Sequence, residues 1–485
     1  MKHFTRREAL KSVGLTLGGL ALGSNAHANN AENANALASA NTETPNVPID
    51  TTGTTETLDF TPPQYPRLLN PVTAITLGAG NRGNVYGGFS LAAATELDIV
   101  GVAEPISIRN ERYAKKHNID ARRCFKTWED VFKVPKFADA ILITMPDNLH
   151  YKACMKALEM GYHVLLEKPI AQSEQECRDI LAQSKRYNRI VAVCHVLRYA
   201  PYFIKLKQMI NTGAVGQLIS IQHFEPISHI HMAHSYVRGN WHNSKETTPI
   251  ILAKSCHDLD ILRWMVGKPA RNISAMGDLT WFTTKNAPVG SSERCVTCKV
   301  EADCPYSALK IYKVGGRWNH VLDLPDDVSQ HADVLAERMK TSNYGRCVYQ
   351  MDNDQCDHYI TNIEFEDGVT ASFSMEAFTD YEGRRTRIMG SMGSIVGDMS
   401  SFTHTDFRTG KVSTYDAKTL SEAEFAAYGH GGGDFGLARD WVHAIAANNP
   451  KLLTSTIDAS IESHIMGFAA ERSRMKKTVE PVKMN

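Results

Sequence analysis

The 485-residue chain lacks any net charge: 53 Lys and Arg balance 53 Asp and Glu. That balance excludes the basic bias of a nucleic-acid binder and gives no reason to expect a strongly anionic membrane partner. Beyond its first residues the chain also lacks an apolar run long enough to cross a bilayer, so no span is expected in the mature protein. No internal repeat is visible, and no cysteine follows the N-terminal apolar run, which argues against a lipid anchor. What remains is the composition of a globular protein, 43% hydrophobic and 22% charged, long enough for two or three domains.

Residues 1–28 read as a targeting segment. Thr5-Arg6-Arg7-Glu8-Ala9-Leu10-Lys11 is a twin-arginine pattern, Val13 to Gly23 a mild apolar run, and Ala26-His27-Ala28 a small–x–small cleavage site. A general secretory signal is the alternative. Either route puts the mature chain in the periplasm or outside the cell. Residues 29–66, rich in Asn, Ala, Thr and Pro, read as a disordered leader.

Val72-Thr73-Ala74-Ile75-Thr76-Leu77 suits a buried parallel strand and runs into Gly78-Ala79-Gly80-Asn81-Arg82-Gly83. A G-x-G-x-x-G loop between a strand and a helix cradles a pyrophosphate. Gly78 permits the turn, Gly80 admits the phosphates, and Gly83 lets the helix pack close. Asn81 and Arg82 in the loop join them as expected cofactor contacts. A second strand, Asp98 to Ala103, ends at Glu104, about twenty residues on, where a carboxylate suits a ribose 2′-OH and repels a 2′-phosphate. NAD is therefore favoured, although the nearby Arg109 keeps NADP open. Strand and helix patterns alternate through Ala138–Thr144, Asn148–Met160, His163–Leu166, Ser173–Tyr187 and Ile190–Cys194. This predicts a doubly wound parallel sheet over residues 67–196, with ligands beyond the carboxyl ends of its strands.

The glycine loop, Pro146 with His150 four residues on, Glu167-Lys168-Pro169 and His257-Asp258-Leu259-Asp260 occur in an order that resembles the glucose–fructose oxidoreductase/inositol dehydrogenase/MocA (Gfo/Idh/MocA) family. The resemblance runs from about residue 72 to the end. It implies an N-terminal Rossmann domain followed, over 197–485, by an α+β substrate domain with an open, mostly antiparallel sheet. The later sequence fits, with strand patterns at Gln217–Glu225, Tyr359–Phe365, Thr370–Ala377 and Arg384–Met389. Helical patterns fall at Ile251–Val266, Phe435–Ala447 and Ile457–Lys477.

The same resemblance implies hydride transfer between a sugar or polyol carbon and nicotinamide. Pro146, His150, Glu167 and Lys168 would flank the cofactor. Lys168 and His257 would be catalytic, the first orienting the reacting oxygen and the second exchanging its proton. Arg198, Tyr199, Arg238, Trp241 and His430 are the expected substrate contacts, since Arg and Trp suit sugar binding by hydrogen bonding and stacking. His195, beside Arg198, belongs to the same crossover. One departure stands out: where the family's dehydrogenases often carry an aspartate one turn before the histidine, this chain has Ala253. Lys254 and Asp260 are the nearby groups that can replace its charge.

Cys295-Val-Thr-Cys298 and Cys304 fall in an insertion at about 280–350, with Cys347 or Cys356 able to complete a set of four. A structural zinc, an iron–sulfur cluster and disulfides are all open solutions. The resemblance extends to an exported subgroup carrying this insertion. Because the periplasm offers no plentiful exchangeable nicotinamide pool, a tightly held and internally regenerated cofactor is expected. The functional expectation is a carbohydrate oxidoreductase. The alternatives are an NAD-dependent glycoside hydrolase working by oxidation, elimination, hydration and reduction, and a non-catalytic sugar-binding protein. A homo-oligomer is expected from the family.

Overall fold

The structure, a computed structural model, describes residues 54–55, 65–416 and 429–484. The targeting segment and nearly all of the leader lie outside the described residues.

Six parallel strands form the first sheet. Its order is Cys124–Phe125, Leu97–Ala103, Val72–Leu77, Ala140–Ile143, His163–Leu166 and Val191–Val193. The central strands are apolar on both faces because helices cover both; Ile75, Leu77, Ile141 and Leu165 are fully buried. Each helix starts where local chemistry allows. Glu174–Arg186, for example, begins at a capping box, with Ser173 accepting from the Glu176 N–H while Glu176 accepts from the Ser173 N–H.

A second sheet of ten strands follows. From one edge it runs Thr54–Thr55, Val412–Asp416, Ser401–Asp406, Gly393–Gly397, Arg385–Gly390, Leu218–Pro226, Thr370–Glu376, His358–Phe365, Ala270–Asp278 and Glu480–Pro481. Two pairings are parallel, Thr370–Glu376 with Leu218–Pro226 and Thr54–Thr55 with Val412–Asp416; the rest are antiparallel. Alternation along His358–Phe365 turns Tyr359, Thr361, Ile363 and Phe365 inward. The Tyr359 hydroxyl there donates to Glu471 Oε2 of the long helix Ile457–Lys476 at 3.2 Å. The architecture is thus the expected α/β fold, a Rossmann unit followed by a mostly antiparallel sheet. No described helix is long and apolar enough to cross a membrane.

One predicted helix differs. Ile251–Val266 is two helices, Ile250–Ala253 and Cys256–Val266, broken at Lys254 and Ser255. The break frees the Ala253 carbonyl, which accepts a hydrogen bond from Lys168 Nζ at 2.8 Å.

Candidate functional site

The glycine loop closes the first strand against its neighbour. Gly78 has φ +96°, and a Cβ there would lie 2.9 Å from the Met145 nitrogen and the Thr144 carbonyl oxygen. A Cβ on Gly83 would fall 2.2 Å from the Gly78 carbonyl oxygen. Gly80 is different: its nearest such neighbour is Arg109 Nη1, 4.0 Å away, so a ligand's backbone approach is open. Asn84 Nδ2 braces the loop by donating to the carbonyls of Ala79 and Gly80, 2.9 Å each. Asn81 is exposed at the start of the helix Asn81–Ala92. Glu104 lies at the end of the adjacent strand, accepting from the N–H groups of Ala79 (2.8 Å) and Ile106 (3.0 Å). These residues fit a dinucleotide: a glycine cradle with open space at Gly80, and a carboxylate beside it.

Arg82 is engaged by side chains of the chain itself. Its Nε donates to Glu167 Oε1 at 2.5 Å, and its Nη2 to Asp434 Oδ1 and the Tyr86 hydroxyl at 2.6 Å. Sequence reasoning assigned it to the cofactor; the structure makes it the tie between the Rossmann sheet, the Glu-Lys-Pro turn and the helix Gly433–Ala446. Burial alone would raise the Asp434 carboxyl, but Arg82 and His430 outweigh it and hold it below the usual carboxylate range.

Pro146 opens the turn at the end of Ala140–Ile143. His150 is buried, its ring nitrogens 2.8 Å from the Pro169 carbonyl oxygen and 2.9 Å from that of Met145. It joins the two strand ends that flank the expected nicotinamide position. Lys168 precedes a cis proline, and Glu167 Oε2 accepts from the Lys168 N–H at 3.0 Å.

His257 starts the helix Cys256–Val266 and is 7% exposed. Its Nδ1 is buried without a partner among the described residues. Burial, then the Lys168 ammonium beside it, pushes its pKa well below the ordinary histidine value. The imidazole is therefore neutral at neutral pH. Its ring centroid lies 5.9 Å from that of His195 and 6.1 Å from that of His430. His430 Nδ1 is 2.9 Å from Asp434 Oδ2. Lys168, His195, His257 and His430 thus gather at the carboxyl end of the parallel sheet.

The four other expected substrate contacts all have partners within the chain. Arg198, 3% exposed, is bidentate to Asp260 at 2.7 and 2.6 Å and also donates to the carbonyls of Thr454 and Ala459. The Tyr199 hydroxyl accepts from the N–H groups of Thr454 and Ser455 and contacts Ser455 Oγ. Both lock the crossover to the segment before Ile457. Arg238 is 1% exposed and points at the cysteines of the insertion. Trp241 packs partly buried beside Tyr236, with ring centroids 6.2 Å apart.

The wall near Lys168 includes residues of the insertion that the sequence did not single out. Lys254 and Lys168 both influence His231, whose ring centroid is 5.3 Å from Trp318 of the insertion. Lys254 pairs with Glu225 at 3.0 Å, Glu225 with Arg384 at 2.9 Å, and Arg384 with Asp258 at 2.5 Å. Asp258 in turn meets His223 at 3.0 Å. Lys254 therefore does not replace the carboxylate missing at Ala253. Asp323 of the insertion grips Arg109 at 2.5 and 3.0 Å, so the same insertion reaches the nucleotide side.

The buried histidines set the pH response. Burial depresses His195, His231 and His257, and holds His464 at about 3. Below about pH 6.5 the unfolded chain binds protons that the folded one refuses, so stability falls as pH falls. The expected loss is on the order of 1 kcal/mol per such histidine for each pH unit below that point. Denaturant melts between pH 7.5 and 5 check the sign; a stability that rises on acidification contradicts it.

The four cysteines Cys295, Cys298, Cys304 and Cys347 line one cavity, and none is in a disulfide. The structural zinc that the sequence left open is not supported: among the described residues no three His, Cys, Asp or Glu side chains are grouped so as to hold one metal ion.

A family model described as "Oxidoreductase family, NAD-binding Rossmann fold" matches residues 73–195. Its companion, "Oxidoreductase family, C-terminal alpha/beta domain", matches 207–483. The putative oxidoreductase YteT of Bacillus subtilis is 23% identical over 337 residues, 64% of this chain and 76% of that protein. An inositol 2-dehydrogenase/D-chiro-inositol 3-dehydrogenase of Lactiplantibacillus plantarum is 22% identical over 194 residues, 40% of this chain and about half (52%) of that protein. Among solved structures, a levoglucosan dehydrogenase in complex with NADH and levoglucosan superposes with TM-score 0.62 at 16% identity, covering 86% of this chain and all of the other. An oxidoreductase from Agrobacterium radiobacter with NAD+, L-tartaric acid and magnesium gives 0.61 at 12% identity, over 85% and 99%. At these identities the structural likeness establishes the shared fold.

Proposed function

This chain belongs to the Gfo/Idh/MocA family of NAD-binding oxidoreductases, and from that premise we propose that it moves a hydride between NAD and a hydroxyl-bearing carbon of a sugar or sugar derivative, on a cofactor retained between turnovers. The carrying observation is that the Lys168 charge bears directly on His257, whose Nδ1 is buried without a partner among the described residues. When bound, the nicotinamide supplies the hydride acceptor or donor. Everything else falls to the chain's own side chains. Lys168 has three N–H donors, of which one goes to the Ala253 carbonyl, leaving donors to hold the substrate oxygen. His257, neutral, takes the hydroxyl proton as the carbonyl forms. Trp318 and His231 offer a stacking wall in place of Trp241.

Glu104 supports NAD as the partner, and Asp323 strengthens that reading by neutralising Arg109, the residue otherwise able to greet a 2′-phosphate. The double variant Glu104→Ser/Asp323→Ala is expected to shift preference toward NADP by at least about tenfold, roughly 1.4 kcal/mol. Paired titrations with the two nucleotides read this out; an unchanged ratio contradicts the assignment.

A second reading, the NAD-dependent glycoside hydrolase, is favoured by one observation: His430, oriented by Asp434, stands 6.1 Å from His257 and provides another proton-transfer group. The twin-arginine pattern supports export of a folded, loaded enzyme to the periplasm, in the subgroup with the cysteine insertion, and the family supports a homo-oligomer. Native mass spectrometry of the purified chain, followed by aryl glycosides, tests these readings. Retained NAD without released aglycone supports the oxidoreductase. Released aglycone without net nicotinamide change supports the hydrolase. A nucleotide-free chain that turns over only with added NAD overturns cofactor retention.

A further inference from the structure

The insertion that holds Cys295, Cys298, Cys304 and Cys347 has its own small core of Ala308, Ile311, Tyr312, Leu322, Leu335 and Met339. Short 3-10 turns at Cys295–Thr297 and Glu301–Asp303 bring the first three cysteines round one space. A backbone bridge between Arg294 and Arg346, with the Cys347 N–H donating to the Glu293 carbonyl at 2.8 Å, adds the fourth. The cavity that these thiols help to line encloses about 20 Å³ and opens to solvent.

Two facts limit what belongs there. A single zinc needs its sulfurs converging at ~2.3 Å on one point. No three metal-binding side chains among the described residues are so grouped. A cuboidal cluster asks for something else: each iron takes one thiolate, so four sulfurs need only surround a cavity.

The second fact is a charge without a partner. Arg238 lines the same cavity and is 1% exposed. Its Nε donates to the Arg346 carbonyl at 2.7 Å and its Nη2 to the Tyr306 carbonyl at 2.8 Å. Nη2 also lies 3.7 Å from Cys295 Sγ, and Nη1 is buried with no partner. No carboxylate among the described residues forms an ion pair with it. A buried, uncompensated guanidinium is strongly destabilising. The Ala308 N–H, 3.4 Å from Cys295 Sγ, is a further donor aimed at sulfur.

We propose that these four cysteines bind a [4Fe–4S] cluster whose negative charge is met by Arg238. Assembly from two ferrous ions, two ferric ions and four sulfides releases four thiol protons. Each thiolate then gives one electron pair to one iron, and the assembled site carries a net charge of −2. No electron transfer is needed for binding. The cluster fixes the Met232–Arg238 segment, which carries Arg238 at its end and follows His231 in the wall near Lys168. Its role is to hold that wall.

The test is anaerobic incubation of the reduced, purified full chain with ferrous and ferric iron and sulfide, then desalting and analysis for iron, acid-labile sulfide and zinc. About four irons and four sulfides per chain are expected, with a broad visible charge-transfer band. Cys298→Ser is expected to lower retained iron at least severalfold, and Arg238→Gln to speed its loss, while Cys124→Ser, outside the cavity, leaves both unchanged. Circular dichroism separates a folded, cluster-free variant from an unfolded one. One zinc per chain that iron does not displace overturns the proposal. So does uptake of no more than one iron, or equal uptake by wild type and a folded Cys298→Ser. The readout uses neither sugar nor nicotinamide, so it fails or succeeds independently of the hydride-transfer reading.

Discussion

Lys168→Ala is expected to lower kcat for hydride transfer by about 10²–10⁴-fold, the range set by losing a positioned proton-transfer or polarising group. Nucleotide retention should change little, because the pyrophosphate cradle is built from Gly78, Gly80 and Gly83. The Lys168 ammonium is held by the Ala253 carbonyl and lies beside His257, so removing it takes away the oxygen's electrostatic support when charge develops there. The Lys168→Arg variant separates charge from position. It keeps the cation but not a compact ammonium that fits between Ala253 and the substrate oxygen, and it should restore little activity. A loss confined to KM would mean that Lys168 only binds substrate. His257→Ala should lower kcat as well, and exogenous imidazole should rescue part of it.

The largest stability effect is expected at Arg82. Its guanidinium neutralises Glu167 and Asp434, whose side chains are 6% and 1% exposed, while its own is 25% exposed. Arg82→Met keeps most of the volume and strands two buried carboxylates together. Breaking such a network costs about 3–5 kcal/mol. For a chain of this size a thermal midpoint lower by roughly 4 °C follows. The triple variant Arg82→Met/Glu167→Gln/Asp434→Asn removes the stranded charges and should recover most of the loss. If Arg82→Met melts like wild type, the network is not a structural tie and Arg82 returns to the cofactor side. If the triple variant recovers nothing, packing and not charge explains the effect.

Local rules made the Rossmann half legible. Its strands are mostly buried on both faces and therefore run as short, largely apolar segments, and the Gly78 to Gly83 loop can be read from sterics alone. The second sheet was harder. Leu218–Pro226 and His358–Phe365 alternate cleanly, but Ala270–Asp278 carries Ala, Ser and Gly where a strand pattern expects large residues. The short strand Gly393–Gly397 begins and ends on glycine. Their pairing comes from neighbours distant in sequence. The break after Ala253 was hidden for the same reason, since the group that takes up its carbonyl, Lys168, lies 85 residues away.

The proposed catalytic pair and the glycine loop stand out in the sequence by motif spacing, and the structure brings Lys168 near enough to bear on His257. The substrate wall was not. Arg198 and Arg238 have the chemistry of sugar-binding residues, yet Asp260 and the cysteine cavity engage them first. Nothing local in sequence announces those partners. Trp318 and Asp323 were hidden in an insertion whose cysteines drew all the notice. A tryptophan and an aspartate in that segment were the available signal, but only the fold brings them beside His231 and Arg109.

The most direct test of the central claim is a single-turnover absorbance measurement. Stoichiometric NAD on the purified mature chain is mixed with a panel of sugars and polyols while the reduced-nicotinamide band is followed. At least one compound should produce up to one equivalent of reduced nicotinamide in wild type, and the same compound should react far more slowly with Lys168→Ala and His257→Ala. Equal rates in all three proteins would show that residues 168 and 257 do not meet at the reacting carbinol.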